Sequence, residues 1–291
     1  MLYETIQNER EEIPVSKACG LLAVNRRAYF EWKIKPAPVE KTEPEELLNE
    51  IRSIAKKPRY GYKRIYHELK RRKIMVGKKK VLKIMRKLNL LCIKHKYKIC
   101  TTNSNHGLRT YSNLIKELEV VKLNHVWVSD ITYIQLTTGK MIYLATVMDR
   151  FSRKFLGWEL SENIDALLCI NALQMAFKER EGINLAGLIH HSDQGSQYAS
   201  NEYTELLKSK GIVISMSRKA NPYDNAYAES GFKTIKYEEI LLTEYNTIEE
   251  ARENIKQFIE ENYNKERLHS AIGYMPPTEF EQQYKLKEVV A

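Results

Sequence analysis

The sequence predicts an all-α N-terminal region followed by an α/β domain built on a five-stranded mixed sheet. Three observations lead there. Up to about residue 100 the apolar residues recur at helical spacing, as in Leu47, Leu48, Ile51 and Ile54. From Val126 the spacing changes to strand alternation in VWVSDITYIQL. Later, short apolar runs alternate with helical patterns, the order that lays strands and crossover helices into one sheet.

The elements follow in order. VSKACGLLAVNRRAYFEW, residues 15–32, reads as two short helices around a turn at Ala23 to Asn25, with Ser16 and Asn25 as candidate caps. KPAPVEKTEP holds three prolines and reads as a linker. After the helix beginning near Glu45, Ile65 and Leu69 mark a second, and Val81, Leu82, Met85 and Leu88 are the expected inner face of a third. Three short helices with a basic last one fit a helix-turn-helix unit with its recognition helix at about 78–88. VWVSDITYIQL, the turn TTGK and MIYLATVMDRF form a hairpin, KFLGWEL a third strand, GLIHHSD and IVISMS the fourth and fifth. Helices are expected over DALLCINALQMAFKERE, NEYTELLKSKG, 225–242 and 247–263. The expected domains are an N-terminal helical segment at 1–38, the basic helix-turn-helix domain at 45–100, a linker at 101–122 and the α/β domain with its C-terminal helices at 123–285.

The formal charge of +10 is not evenly spread. Residues 56–98 hold eighteen Lys or Arg and one acid, Glu68, so this segment is +17 and the remainder of the chain is −7. Such segregation is the footprint of a surface that meets phosphates. No run approaches about 18 consecutive apolar residues, the length that spans a membrane. MLYETIQNEREEIPV lacks the basic head and apolar core of a secretion signal. Four scattered cysteines fit a reducing compartment, which points to the cytoplasm.

Three carboxylates stand out. Alternation along the first strand sets Asp130 on a face with Val126, Val128, Thr132 and Ile134, where a carboxylate is costly unless paired or bound to a cation, or unless that face is open to solvent. Asp193 ends a short apolar strand, where α/β sheets display ligand groups, although an ordinary Asx turn reads the same way. Glu229 shares a helical stripe with Asn225, Lys233 and Lys236, beside an apolar stripe of Ala228, Phe232 and Ile235. By itself it also reads as a solvated Glu–Lys pair. Taken together, the three can converge at one end of the sheet and hold two hard divalent cations through oxygen. Asp224, in NPYD, is the expected N-cap of the Glu229 helix. Asp149 reads as a structural turn residue, and His190 and His191 as structural strand-end residues. Cys92, His95, Cys100 and His106 follow no zinc spacing.

Those residues carry a family resemblance. The chain resembles the large-subunit, OrfB-type transposases of two-reading-frame bacterial insertion sequences, relatives of retroviral integrases. Asp193 and Glu229 are separated by 35 residues, and Lys236 lies seven beyond Glu229, as in that family. WVSDITYI, VMDRFSRKFLGW, HSDQGSQY, SMSRKANPYDNAYAESGFKTIKYE and YNKERLHSAIGYMPPTEF resemble its blocks, and YGYKRI with VGKKKVLKIMRKLNL resembles its helix-turn-helix module. The resemblance implies a ribonuclease H-like core and two Mg²⁺ (or Mn²⁺) ions at Asp130, Asp193 and Glu229. It further implies metal-dependent cleavage and strand transfer at element ends. The partners would be double-stranded DNA, as terminal inverted repeats and target, further copies of the chain assembled on DNA, and a small protein from an upstream frame. The place of action would be the bacterial cytoplasm, at the nucleoid. The candidate DNA contacts are Arg64, Lys78, Lys79, Lys80, Lys83, Arg86, Lys233 and Lys236. A structure-selective nuclease on the same core, or a DNA-binding regulator with a silent core, are the competing readings.

Overall fold

A computed structural model describes residues 2–34, 43–57, 60–92, 107–218 and 226–290, with the side chains of 226–229 and 287–290 outside that description. The chain forms two compact units, 1–49 and 50–291.

In the first unit, α1 (Leu2–Asn8), α2 (Val15–Leu21) and α3 (Arg26–Ile34) enclose a small core of Ile6, Ala18, Cys19 and Tyr29. Asn25 caps α3: its Oδ1 accepts from the backbone N–H of Arg27 at 2.8 Å and of Ala28 at 3.3 Å. Ser16 does not cap α2, which starts one residue earlier behind Pro14, whose fixed φ already suits a helix entry. The proline-rich stretch read as a linker lies largely outside the described residues.

α4 (Glu45–Ala55) carries the division between the units. In the second unit, α5 (Tyr62–Arg71) and α6 (Lys78–Lys87) pack together, and Ile65, Leu69, Val81, Ile84 and Met85 are buried. The inner face of α6 is thus Val81, Ile84 and Met85; Leu82 and Leu88, expected inside, are only half-buried.

The sheet follows, with β1 (Val126–Gln135), β2 (Met141–Asp149), β3 (Phe155–Ser161), β4 (Ile189–Ser192) and β5 (Val213–Met216) in the order β3-β2-β1-β4-β5. The first three strands run antiparallel, while β4 joins β1, and β5 joins β4, in parallel. This is the five-stranded mixed sheet of a ribonuclease H-like core.

Both faces are covered, which explains why β1 is apolar on both of its sides. On one face α7 (Ala166–Glu179) and α9 (Asn201–Ser209), with the single turn α8 (Ser196–Ala199), bury Trp127, Ala145 and Val147. On the other, α10 (Ala226–Ile235), α11 (Ile248–Lys256) and the helix at 257–266 bury Val126, Val128, Ile134 and Met148. α10 and α11 each continue into π-helical turns, at 236–240 and 257–266. α12 (Pro277–Val290) was not foreseen; it is fastened by buried Glu281, which accepts from Arg180 at 2.5 Å and Ser152 Oγ at 2.7 Å.

Candidate active site

The site begins with strand register. β1 and β4 pair in parallel through Val126–Ile189, Trp127–His190 and Val128–His191. Continued two residues past its last pair, the same register would bring Asp130 alongside Asp193, with neighbouring strands roughly 4.8 Å apart. β4 ends at Ser192, so Asp193 sits where the strand turns away, and its Oδ1 accepts from the Gly195 N–H at 2.9 Å. The Asx turn and the display of a carboxylate are therefore one feature, not alternatives. Asp130 Oδ1 accepts from the Ile131 N–H at 2.9 Å. Both aspartates are half-buried. The rest of the Asp130 face is closed to solvent, because Val126, Val128 and Ile134 belong to the core, while Asp130 itself stays half-exposed.

Electrostatics agrees that the two carboxylates converge. The buried Tyr198 phenol is pushed up by burial, and the negative charges of both Asp130 and Asp193 act on it in the same direction. The Cys169 thiol, raised mainly by burial, responds to both as well. Two like charges so placed repel each other unless a cation stands between or beside them. One cation comes from the chain. Lys236 is half-buried with its Nζ 4.8 Å above the Tyr133 ring; burial lowers its pKa while Asp130 raises it.

Glu229 lies on α10, with its side chain outside the described residues. α10 packs on β1, anchored by buried Phe232 and Ile235 and by Gly231, where a Cβ would meet Met148 Sδ and Phe155 Cζ at 3.2 Å. Lys233 is exposed and Lys236 half-buried, and the α-helix gives way to a π-helical turn at residue 236. Asp224, expected to cap α10, lies outside the described residues.

The donor set suits a hard divalent cation: adjacent, half-exposed carboxylates supply oxygen ligands. Among the described residues no three His, Cys, Asp or Glu side chains gather for a metal ion; the expected third ligand is Glu229. Of the zinc candidates set aside, Cys92 is exposed, and His95, Cys100 and His106 lie outside the described residues.

The neighbouring polar residues are structural. His190 is fully buried, its Nε2 2.8 Å from Ser129 Oγ and 3.0 Å from the Tyr203 hydroxyl, and burial depresses its pKa to about 3. His191 Nδ1 lies 2.8 Å from Ser215 Oγ. Asp149 shapes the turn after β2: Oδ1 accepts from the Phe151 and Ser152 N–H groups at 2.8 and 2.9 Å, and Oδ2 from Asn124 at 2.7 Å.

On α6, Lys78, Lys79, Lys80, Lys83 and Arg86 are all exposed, with Lys78 Nζ 5.0 Å above the Tyr66 ring. Arg64 is different. It points away from that surface, donating from Nε to the Leu268 carbonyl at 3.1 Å and from a terminal nitrogen to Glu238 Oε1 at 3.4 Å. A buried pair that the sequence reading missed lies beside it. Arg267 meets Glu238 bidentately at 2.6 and 2.7 Å. Both partners are polar residues on helical and loop segments without periodicity, so their meeting left no local pattern to read.

Comparison with known proteins places this geometry. Residues 121–222 and 210–277 match integrase core domain families, and residues 43–98 match an HTH-like domain. The chain is 34% identical to the insertion element IS600 uncharacterized 31 kDa protein of Shigella sonnei, over 91% of this chain and 98% of that one. It is 39% identical to the transposase for insertion sequence element IS904 of Lactococcus lactis, over 83% and 96%. Identity to the transposase InsF for insertion sequence IS3A of Escherichia coli is 31%, over 97% and 98%. Matched at 31–39% identity over most of its own length and nearly the full length of these relatives, the chain belongs to the insertion-sequence transposases.

Proposed function

We propose that this transposase cleaves and joins DNA at the ends of its element through Asp130, Asp193 and Glu229, holding two divalent cations, Mg²⁺ or Mn²⁺. The observation that supports the reading is the parallel register of β1 and β4, which, continued two residues, would bring Asp130 beside Asp193, with Lys236 close enough to Asp130 to feel its charge. When bound, such ions lower the pKa of an attacking water or 3′-hydroxyl and stabilise the leaving oxygen of an in-line displacement. The chain's own residues do the rest. Asp130 and Asp193 fix the oxygen donors on a sheet buried on both faces, so their spacing varies little. Lys236 balances their charge and then a phosphate's. α6 offers Lys78, Lys79, Lys80, Lys83 and Arg86 to the terminal repeats, and Lys233 adds a contact beside the core. The reaction requires two element ends and a target, so the working form is several copies of the chain on DNA, with the small upstream-frame protein as a further partner. The described helices include none long and apolar enough to cross a membrane, and the substrate lies at the bacterial nucleoid.

Asp130→Asn, Asp193→Asn and Glu229→Gln each remove one negative charge without changing shape. Each is expected to abolish Mg²⁺-dependent strand cleavage, a loss of at least about a thousandfold if the carboxylate holds an essential ion. Gel-shift affinity for the element end should stay within a few-fold of wild type. Full cleavage by any of the three would overturn its assignment.

A further inference from the structure

Glu238 stands on the π-helical turn at 236–240 that follows α10, with its side chain only 7% exposed. Two arginines from distant parts of the chain share its carboxylate. Arg267 donates from Nε to Oε2 at 2.6 Å and from a terminal nitrogen to Oε1 at 2.7 Å. Arg64, on α5, donates to Oε1 at 3.4 Å and, from Nε, to the Leu268 carbonyl at 3.1 Å. The hydroxyl of Tyr60, just before α5, accepts from the Leu268 N–H at 3.1 Å. Side chains of the α5 region therefore hold both backbone groups of Leu268. Arg267 also reaches α10, where a terminal nitrogen donates to Thr234 Oγ1 at 3.4 Å. One chain of contacts thus runs from α5 through Glu238 and Arg267 to α10.

Two observations give this bridge a task beyond cohesion. The first is its composition. A buried ion pair adds little net stability over apolar packing of the same volume, because desolvation offsets the attraction. What a carboxylate gripped by planar guanidiniums does supply is direction, since the fork fixes the relative placement of the elements that bear it. The second is what lies at its two ends. α5 packs on α6, with Ile65, Leu69, Val81 and Met85 buried, and α6 presents the exposed lysines. At the other end, the turn that carries Glu238 begins with Lys236, whose Nζ stands 4.8 Å above the Tyr133 ring and feels the charge of Asp130. Residues two apart on a helix leave it on nearly opposite sides. One turn can therefore offer Lys236 to the carboxylates and Glu238 to the helix-turn-helix.

We propose that the Arg64–Glu238–Arg267 bridge acts as a ruler, fixing the distance between the DNA sequence held by α6 and the phosphate cut at Asp130 and Asp193 of the same chain. Arg64 and Glu238 are then positioning residues, which act through Lys236 and α10 and touch no DNA. The proposal rests on the DNA-cleaving function proposed above, and adds that one chain both reads and cuts the same element end. Loosening the bridge leaves α6 its lysines, so affinity persists while no single phosphate is singled out for cleavage.

The test uses full-length protein, Mg²⁺ and a duplex carrying one end of the element, end-labelled on the cut strand. Arg64→Gln removes one arm and leaves Glu238 paired with Arg267, so the buried pair is kept; Glu238→Gln removes the centre. Arg71→Gln, which breaks the exposed Arg71–Glu279 pair instead, is the control. Wild type and Arg71→Gln should cut at one phosphate. Arg64→Gln and Glu238→Gln should spread the cuts over neighbouring phosphates. Cleavage at the wild-type position on saturated DNA should slow by roughly ten- to a hundredfold, the effect of a misplacement of about 1 Å. The slope of log affinity against log salt should match wild type in both, as should the melting temperature of Arg64→Gln. A single, wild-type cut position in Arg64→Gln would overturn the ruler while leaving the proposed function intact, and so would equal spreading in Arg71→Gln. A salt slope lower by about one in Arg64→Gln would make Arg64 a DNA contact and overturn its positioning role. A wild type that binds the duplex but cuts it nowhere with Mg²⁺ or Mn²⁺ would refute that function, and the ruler with it.

Discussion

At the scale of single residues, burial separates the proposed metal ligands from the polar groups that only hold the fold. Asp130 and Asp193 keep part of their surface open, whereas His190, three residues before Asp193, is fully buried. Its depressed pKa has a consequence for stability. An unfolded histidine titrates near 6.5, and folded His190 near 3. Between those values the unfolded chain holds a proton that the folded chain lacks. Stability is therefore complete above pH 6.5 and falls as pH drops towards 3, by about 1.4 kcal/mol per pH unit from this residue. From pH 7 to pH 5 the loss should be about 2 kcal/mol, with His269 acting in the same direction. Urea unfolding of wild type and His190→Gln at both pH values measures it: the variant's pH slope should be shallower by about one proton. Equal slopes would mean that His190 is protonated, or solvated, in the folded state. The roles of these residues were partly legible in the sequence. Asp193 was marked by its place at the end of an apolar run, but that His190 hydrogen-bonds to Ser129 and Tyr203 depends on a strand pairing that no local pattern announces.

Among the elements, the strands were the most legible, because β-branched alternation and the TTGK turn specify both conformation and pairing. The helices after β5 were legible in place but not in pitch. α10 continues into a π-helical turn at 236–240, and a local apolar pattern does not announce such a change of pitch. The last helix, α12, was missed because its buried anchor, Glu281, is a charged residue whose partners lie over a hundred positions away. Contact between elements also sets the tolerance of the sheet. Gly157 on β3 lets α7 approach so closely that a Cβ there would overlap the Ala172 carbonyl oxygen and lie 2.7 Å from the Ala176 nitrogen. Backbone cannot rotate aside as a side chain does, so α7 would have to move. Gly157→Ala is expected to cost about 3 kcal/mol, at the upper end of overpacking effects. Gly77→Ala, with no atom within 4 Å of the added methyl, should change stability by less than about 1 kcal/mol. Denaturant midpoints of the two variants make the comparison, and a well-tolerated Gly157→Ala would show that α7 is not fixed against β3.

For the whole molecule, charge is divided between two tasks. The second compact unit joins the basic helices to the core through Tyr60, whose hydroxyl accepts from the Leu268 N–H at 3.1 Å, and through the bidentate Arg71–Glu279 pair at 3.1 and 2.6 Å. The exposed lysines of α6 are thereby carried on the same body as the carboxylates but on a separate element. Affinity and catalysis should then respond to different substitutions. Lys79, Lys80, Lys83 and Arg86 replaced together by Gln removes four exposed charges that no catalytic step requires. If each neutralises one phosphate, the slope of log affinity against log salt falls by about 3.6, at roughly 0.9 per contact. Binding at moderate salt should weaken by orders of magnitude, while cleavage of DNA saturated at low salt stays near wild type. The carboxylate variants should show the reverse, with slope retained and cleavage lost. Salt-series binding and single-turnover cleavage on one duplex measure both. A quadruple variant with the wild-type slope would move the DNA-reading surface off α6, and one that binds normally yet fails to cleave would mean that α6 acts on the chemistry itself.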